Sequence, residues 1–318
     1  MQRCKKVCAT LAIVLLALTS LSQAADTPEK KVTLKVPLCF ATSLPVIGDS
    51  AVWLADNLKA ASNGSLKMKL FEPGKLLPPF EILEAVSEGK INAGLASAAY
   101  WQGKVPAASF FSSIPFGPEA PEYLAWLYHG NGLKLYQEMY DSAGFAVKVL
   151  PVLIISPETS GWFAKPIESV EDLKGLRMRF FGFGGKVMQK LGVSVSLLPA
   201  GEIFAALEKG AIDATEFSFP AIDQKLGFYK VAKYNYFPGW HQQATLLELL
   251  INQKTWASMS PAQQMLLEMT CMAGITHSLA YCEAIQGPVI KKNAEERGVQ
   301  NMRWSPEMLA AFKTAWES

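Results

Sequence analysis

An arginine at the end of a predicted strand is the first candidate for chemistry in this sequence. The stretch LKGLRMRFFG runs from Leu173 to Gly182, and alternation along a strand puts Arg177 and Arg179 on one face. Arg177 is expected in solvent, whereas Arg179 ends the strand, and in open α/β sheets ligands gather beyond the carboxyl ends of strands. The planar guanidinium group matches a carboxylate. Its candidate partners are an internal Asp or Glu and the carboxylate of a captured molecule.

Two glutamates follow predicted strands in a similar way. Glu216 comes directly after the segment 211–215, and Glu158 lies in the polar turn SPETSG at 156–161. A carboxylate at a strand end can bind a metal ion, act as an acid or base, or carry only a loop charge. Two such carboxylates are also the minimum requirement of a glycosidase.

Three aromatic residues are predicted to line a cleft. Tyr100 follows the small residues 94–99, Phe217 follows Glu216, and Trp240 adjoins the glycine turn at Gly239. The first two leave the carboxyl ends of predicted strands, which is where a ligand is expected. Core packing explains most of the other aromatic residues near Trp240.

Motifs for other kinds of chemistry are missing from the sequence. The histidines 129, 241 and 277 have no metal-ligand spacing, and there is no GxSxG segment. The segment GFGGK at 182–186 matches neither common nucleotide-binding pattern. Cys39, Cys271 and Cys282 are the cysteines beyond the first two dozen residues, and we predict that they are buried free thiols.

The elements that must position these residues follow a strand–helix–strand rhythm. Val32 to Leu38 and Leu66 to Leu70 are predicted strands, and helical spacing of apolar residues lies between them until Asn63. This rhythm predicts an α/β fold with a mostly parallel sheet.

An internal similarity suggests two related lobes. Residues 81–93 and 202–214 share the pattern E-I-x-x-A-[VL]-x-x-G-x-I-[ND]-A, which predicts a helix, a glycine stop and a strand. The copies are too far apart for a solenoid. We interpret them as the same element in two α/β lobes, with chance similarity as the alternative.

Two helices are predicted in the C-terminal part of the chain. Ser260 to Gln263 forms a capping box that opens a helical pattern as far as Gly287-Pro288, and the pattern resumes toward Glu296. A last helix is predicted to begin after Ser305.

The start of the chain has the features of an export signal. Basic residues precede the apolar run from Val7 to Leu21, and small residues follow at Ala24 and Ala25. We therefore predict a signal peptide over 1–24, a mature protein that begins near Ala25, and a periplasmic location. No later stretch is long and uncharged enough to cross a bilayer.

The charge of the mature chain is predicted to be close to neutral. Removal of the signal takes away three basic residues, so that 30 Lys and Arg become 27 against 28 Asp and Glu. No basic cluster with interleaved aromatic residues appears, and nucleic acid is therefore not an expected partner.

With these residues assembled, the chain resembles the periplasmic solute-binding subunit of a tripartite ATP-independent periplasmic (TRAP) transporter, of the DctP type. The resemblance extends from about Lys31 to beyond Trp304. Its most specific segments are DLKGLRMRFFG and LPAGEIFAALEKGAIDATEFSFPAIDQKLGFYKVAKYNYFPGW. They are similar to the branch that binds 2-oxo acids and related small carboxylates with a metal ion.

The resemblance implies an α/β fold of two βα lobes, with crossover strands and a long helix that spans both lobes. Lobe I would comprise residues 25–150 and about 241–275, and lobe II residues 151–240 and about 276–318. It also implies a soluble receptor that is not an enzyme, with the membrane subunits of the transporter as partners. The chain ends at Ser318, sooner than is usual in the family, and a homodimer is a candidate assembly.

The same resemblance assigns roles to the site residues. Arg179 would bind the substrate carboxylate, while Na⁺ or Ca²⁺ would be held by the side chains of Glu158 and Glu216 and by the backbone carbonyl of Phe217. The family more commonly has a neutral amide at the position of Glu158 and tryptophan at that of Phe217. Together with Tyr100 and Trp240 these residues form the predicted substrate site.

Three functions follow from these observations. The first is a receptor that captures a small carboxylate, most simply a 2-oxo or 2-hydroxy monocarboxylate, with a cation and delivers it to a transporter. The second is a carboxylate-pair hydrolase, which turnover would reveal. The third is a sensor or binding partner of the same fold that takes no part in transport.

Overall fold

The computed structural model describes residues 30–318, so the predicted signal peptide and its cleavage point lie outside the described residues. The strands, numbered in chain order, are β1 (Val32–Pro37), β2 (Leu66–Phe71), β3 (Ala93–Ala96), β4 (Val147–Ile155), β5 (Gly161–Phe163), β6 (Arg177–Arg179), β7 (Ser194–Ser196), β8 (Ala214–Thr215), β9 (Tyr234–Phe237), β10 (Thr245–Asn252) and β11 (Gln300–Arg303). The helices are α1 (Asp49–Ala61), α2 (Ile82–Ser87), α3 (Ala120–His129), α4 (Gly132–Ser142), α5 (Gly182–Lys190), α6 (Ala200–Glu208), α7 (Pro220–Leu226), α8 (Gln253–Ala257), α9 (Pro261–Arg297) and α10 (Pro306–Glu317).

The first elements form the predicted strand–helix–strand unit. β1 and β2 pair in parallel, and α1 connects them. Ala51, Leu54 and Leu58 recur at helical spacing and are fully buried. The helix ends before Asn63 and Gly64, which both adopt positive φ angles.

A second sheet is antiparallel and has the order β3–β10–β4. Every residue of β10 is buried, and β4 is buried except for the partly exposed Lys148. Strands that are covered on both faces have near-continuous apolar sequences. Glu248 is the one acidic residue in β10.

The largest sheet is mixed and has the order β11–β9–β5–β8–β6–β7. β5 runs antiparallel to both of its neighbours, while β6 runs parallel to β7 and β8. The prediction of a mostly parallel sheet is therefore wrong for the molecule as a whole. The strand–helix–strand pattern of the sequence predicted the local parallel crossovers. It did not predict that β5 and β10 each pair in antiparallel fashion with two strands that are distant in the chain.

The internal similarity corresponds to a repeated structure. Each copy contains a helix, a glycine with positive φ and a strand, in the series α2–Gly89–β3 and α6–Gly210–β8. The two copies lie in different sheets. Both copies thus form the predicted helix, glycine stop and strand, and each leads to a residue of the candidate site; their assignment to two lobes stays a prediction.

The long helix α9 begins as predicted but does not stop at Pro288. Ser260 caps it: the Gln263 backbone N–H donates to the serine hydroxyl, and the Ser260 backbone N–H donates in return to the side-chain oxygen of Gln263. Pro288 lies inside the helix on its exposed side, where a local bend costs no core packing. α9 packs against α1, β4, α7 and β11 and so connects distant parts of the fold.

Cys39, Cys271 and Cys282 are free and buried, as predicted. Within residues 30–318, no helix has both the length and the apolar character that are needed to span a membrane.

Candidate functional site

Three chain segments converge where strands of the mixed sheet end. β6 ends at Arg179, and its parallel neighbour β8 ends directly before Glu216. Backbone bonds hold the two ends together, because Glu216 N–H donates to the Arg179 carbonyl at 3.0 Å. Glu158 lies in the turn between β4 and β5, and its N–H donates to the Gln242 carbonyl at 3.2 Å.

Arg179 has a protein partner. Its Nη1 donates to the Oε2 atom of Glu216 at 2.9 Å and to the backbone carbonyl of the same residue at 2.6 Å. Its Nε donates to the Leu198 carbonyl at 3.3 Å. The guanidinium carbon lies 5.0 Å from the ring centre of Phe217 and 5.9 Å from that of Phe181. Glu216 is thus an internal acidic partner of Arg179, and the role of Arg179 toward a captured carboxylate stays a prediction.

Glu158 and Glu216 are joined by one amide group. The Nε2 atom of Gln242 donates to Glu158 Oε2 at 2.7 Å and to Glu216 Oε1 at 2.9 Å. Ser218 donates its hydroxyl to the other oxygen of Glu158 at 3.3 Å. His241 Nε2 lies 3.5 Å from Glu216 Oε1, and neither ring nitrogen of His241 has a hydrogen-bond partner among the described residues.

The two carboxylates differ in protonation. Burial raises the pKa of Glu158 well above its usual value, and the charges of Glu216 and Asp223 raise it further. Burial also acts to raise the pKa of Glu216, but the charge of Arg179 and the nearby His241 side chain outweigh it, so that this pKa is lowered. Of the two carboxyl groups, Glu158 therefore holds a proton more readily, whereas Glu216 is the one that pairs with Arg179.

A small cavity adjoins these groups. Its volume of about 30 Å³ is two to three times the roughly 10–15 Å³ that one water molecule needs. Both charged or polar groups and apolar side chains line the cavity. Its lining residues are Phe40, Ile47, Ser97, Tyr100, Ile155, Glu158, Arg179, Phe181, Phe217, Ser218, Gln242, Thr245 and Leu247.

The structure brings most of the predicted site residues together. Arg179, Glu158, Phe217 and Tyr100 line the cavity, and Glu216 lies behind them in contact with Arg179. The Tyr100 ring packs edge-on against Phe181, with ring centres 5.3 Å apart. Burial raises the pKa of the Tyr100 hydroxyl, whereas the charge of Arg179 acts in the opposite direction.

Trp240 does not line the cavity, and its predicted position is wrong. It is 2% exposed and stacks on Phe312 of α10, with ring centres 4.7 Å apart, and on Phe116 at 5.6 Å. The adjacent Gly239 is the residue that approaches the site. A Cβ atom there would lie 2.2 Å from the Glu158 carbonyl oxygen, so the turn needs a glycine at this position.

Sequence reasoning missed the polar residues that complete the site. Gln242 and Thr245 follow the aromatic cluster that ends at His241, and Ser218 follows Phe217. The only available signal was their nearness to residues already singled out. Single Gln, Thr and Ser residues carry no spacing pattern, so nothing in the sequence distinguishes them from ordinary loop residues.

Comparison with known proteins identifies the family. Residues 40–318 match the model of the family described as "bacterial extracellular solute-binding protein, family 7", also called DctP. The chain belongs to this family. The predicted resemblance is therefore confirmed over most of the chain.

Similar proteins are known in several bacteria. A monocarboxylate 2-oxoacid-binding periplasmic protein of Nostoc is 39% identical over 239 residues, which cover 75% of this chain and 65% of that protein. A TRAP transporter solute-binding protein of Bordetella bronchiseptica, a mixed-occupancy dimer with calcium and picolinate, is 31% identical with a TM-score of 0.88 and covers 91% of this chain and 85% of its own. A TRAP solute-binding protein of Pseudoalteromonas atlantica with sodium and pyruvate is 32% identical with a TM-score of 0.86, and the coverage is 91% and 87%.

These likenesses confirm the predicted fold class. The chain has the bilobed α/β fold of TRAP periplasmic solute-binding proteins, and both family and fold are those of transport receptors rather than of enzymes. The division into lobes at particular residues stays a prediction.

Proposed function

We propose that this chain is an extracytoplasmic receptor that captures a small monocarboxylate, a 2-oxo or 2-hydroxy acid, together with a cation. The observation that carries the proposal is the meeting of Arg179, Glu158 and Glu216 at one small, largely apolar cavity. An arginine fork recognises a carboxylate, and apolar walls accept a short alkyl group.

The size of the cavity supports a ligand of few heavy atoms. Arg179 is the one basic residue in the cavity lining, which also includes the apolar residues Phe40, Phe217 and Leu247. A second carboxylate on the ligand would therefore be buried without a partner, which is costly. Monocarboxylates are favoured over dicarboxylates for this reason.

The charges around the cavity support a cation. Glu216 already balances Arg179, so a captured anion adds a negative charge next to Glu158 in a buried site. A cation between the two glutamates removes this excess and supplies positive charge to the ligand oxygens. Without it, the anion and the glutamates would repel each other.

The residues present fit such an ion. One oxygen of Glu158, one of Glu216 and one nitrogen of His241 lie within 4.8 Å of one another, and neither His241 nitrogen has a hydrogen-bond partner among the described residues. Carboxylate and carbonyl oxygens suit Ca²⁺ and Na⁺, with Ca²⁺ favoured by two acidic ligands. The carbonyl of Phe217 remains the predicted third oxygen. The similar proteins with bound calcium and picolinate, or with bound sodium and pyruvate, support a cation that is bound together with a small acid.

The proposal includes delivery of the ligand to the membrane subunits of a TRAP transporter. We place lobe I at residues 25–150 and about 241–275, with the remaining mature chain in lobe II, so that the cavity walls come from both lobes and hinge closure completes the site. A cleaved signal over residues 1–24 and a periplasmic location belong to the same proposal. The Bordetella dimer supports a test for a homodimer by light scattering.

Calorimetry tests the binding function. Pyruvate, lactate and succinate are titrated into the protein in buffers that contain calcium, sodium, or choline with a chelator. We expect the monocarboxylates to bind and their affinity to fall at least about tenfold when both metal ions are removed, a loss of roughly 1.4 kcal/mol. Failure of every acid to bind, or affinity that is indifferent to both ions, would contradict the proposal.

Uptake experiments separate transport from sensing. Cells that express the membrane subunits should accumulate the bound acid only when this chain is present. Equal uptake with and without the chain would favour a binding partner that takes no part in transport.

A further inference from the structure

The side-chain amide of Gln242 occupies the space between the two acidic groups of the site. Gln242 is 1% exposed, and its backbone N–H donates to the Gly239 carbonyl at 3.0 Å. An amide nitrogen carries two hydrogens, and here one faces Glu158 Oε2 at 2.7 Å and the other Glu216 Oε1 at 2.9 Å. Among residues 30–318, no other side chain bonds to both carboxylates.

This arrangement resembles what a bound cation would do. The amide donates to one oxygen of each glutamate and presents positive partial charge to both, which holds the two carboxyl groups close together. A cation that uses the same two oxygens needs the same lone pairs and repels the amide hydrogens. The amide and the ion therefore exclude each other unless the amide turns.

Thr245 allows the amide to turn. Its hydroxyl donates to the Oε1 atom of Gln242. A hydroxyl is both a donor and an acceptor, so it can equally accept from the amide nitrogen when the amide oxygen faces the carboxylates. Both orientations of Gln242 thus keep a partner at Thr245, the first residue of β10.

We propose that Gln242 replaces the cation in the empty receptor. Its nitrogen bridges Glu158 and Glu216 when no ion is present, and its oxygen faces them when an ion is bound, with Thr245 as the partner of the other end in each case. This inference rests on the cation of the proposed function. Gln242 is then a positioning residue that stabilises the ion-free form and sets the affinity for the ion.

Thermal unfolding of Gln242→Met, with and without ions, tests this inference. In choline buffer with a chelator, the melting temperature should fall by roughly 3–10 °C because both carboxylates lose a donor. In saturating calcium the fall should be much smaller, since the ion supplies the missing charge. Gln243→Met is the matched control, because Gln243 bonds to the Trp240 carbonyl and not to the carboxylates; it should change the two melting temperatures equally.

A second variant keeps the inference testable if Gln242→Met does not fold. Gln242→Glu keeps the shape but places oxygen at both positions, so we expect calcium to bind at least about tenfold more tightly by calorimetry in the absence of any carboxylate ligand. Equal losses of stability for Gln242→Met with and without calcium, or unchanged calcium affinity of Gln242→Glu, would overturn the inference. Wild-type protein that binds no ion would overturn it together with the proposed function, whereas the first two results leave the proposed function intact.

Discussion

Glu248 and Glu216 are both fully buried carboxylates, but they lie in regions with opposite character. Glu248, in the middle of β10, accepts hydrogen bonds from Trp101 Nε1 at 2.7 Å, from the Tyr136 hydroxyl at 2.5 Å and from the Tyr140 hydroxyl at 2.8 Å. All of these donors are neutral. Glu216 instead accepts from Arg179, from the Phe181 N–H at 3.1 Å and from Gln242.

The difference appears in the pKa values. Burial raises the pKa of Glu248 to about 7, although its three hydrogen-bond donors lower it in part. The pKa of Glu216 is lowered because the charge of Arg179 outweighs burial. Glu216 also faces a second glutamate across one amide, whereas Glu248 faces only neutral rings. A buried acid that is enclosed by neutral donors belongs to the packing of the fold, while an acidic pair with one member bound to an arginine beside a cavity is arranged for a ligand.

Exchanging each glutamate for glutamine tests this comparison most strongly. Glu216→Gln leaves Arg179 buried without a counter-charge, so we expect the free energy of unfolding to fall by roughly 3–5 kcal/mol and binding of small carboxylates to be lost. Denaturant unfolding and calorimetry measure the two effects. Glu248→Gln is the matched control and should keep ligand affinity within about twofold. Loss of binding in Glu248→Gln alone would reverse the roles assigned to the two residues.

The pH dependence of stability sharpens the assignment of Glu248. Its pKa is raised in the folded state, so the folded protein holds the proton more tightly than the unfolded chain, and the free energy of unfolding falls as pH rises from about 4.5 to about 7. The shift corresponds to roughly 3 kcal/mol. Glu248→Gln cannot titrate, and its unfolding curve should lack this contribution.

Unfolding by urea at a series of pH values, with wild type and Glu248→Gln side by side, isolates the effect. Asp223 also has a raised pKa, about 8, and contributes equally to both proteins. A wild-type minus variant difference that stays flat between pH 4.5 and 7 would show that Glu248 is ionised throughout.

Arginine-to-lysine exchanges compare the buried and exposed ends of β6. Arg179→Lys keeps the charge but loses the fork, and carboxylate affinity should weaken by roughly 1.5–3 kcal/mol in calorimetry. Arg177 bonds to Asp213 at 2.6 and 2.9 Å on the surface, so Arg177→Lys should leave affinity unchanged. Equal affinities for the two variants would make Arg179 a residue of the fold only.

Trp240→Phe is expected to have the smallest effect on binding. The ring packs against Phe312 and Phe116 and not in the cavity, so affinity should change by less than about twofold. Tryptophan fluorescence of wild type and variant should show the same change on ligand addition. If the ligand-induced change in fluorescence disappears in the variant, Trp240 lies in the cleft after all.

Several features of this protein could be predicted because they depend on neighbours along the chain. Alternation in β6 placed Arg179 at the strand end, and the shared helix–glycine–strand pattern located the two copies that lead to Tyr100 and Glu216. The capping box at Ser260 marked the start of the long helix. Periodicity, turn chemistry and caps act over a few residues, so the sequence alone determined them, together with the family.

Only the tertiary structure decided which partners these residues meet. Gln242 is 84 residues from Glu158 and 26 from Glu216, yet one amide joins both carboxylates. An aromatic residue beside a glycine turn can face either the cavity or the core. Trp240 packs in the core against Phe312 of α10, a helix that begins more than sixty residues later in the chain. Arg179 pairs with Glu216 because a buried guanidinium group requires a counter-charge. The same side chain also lines the cavity.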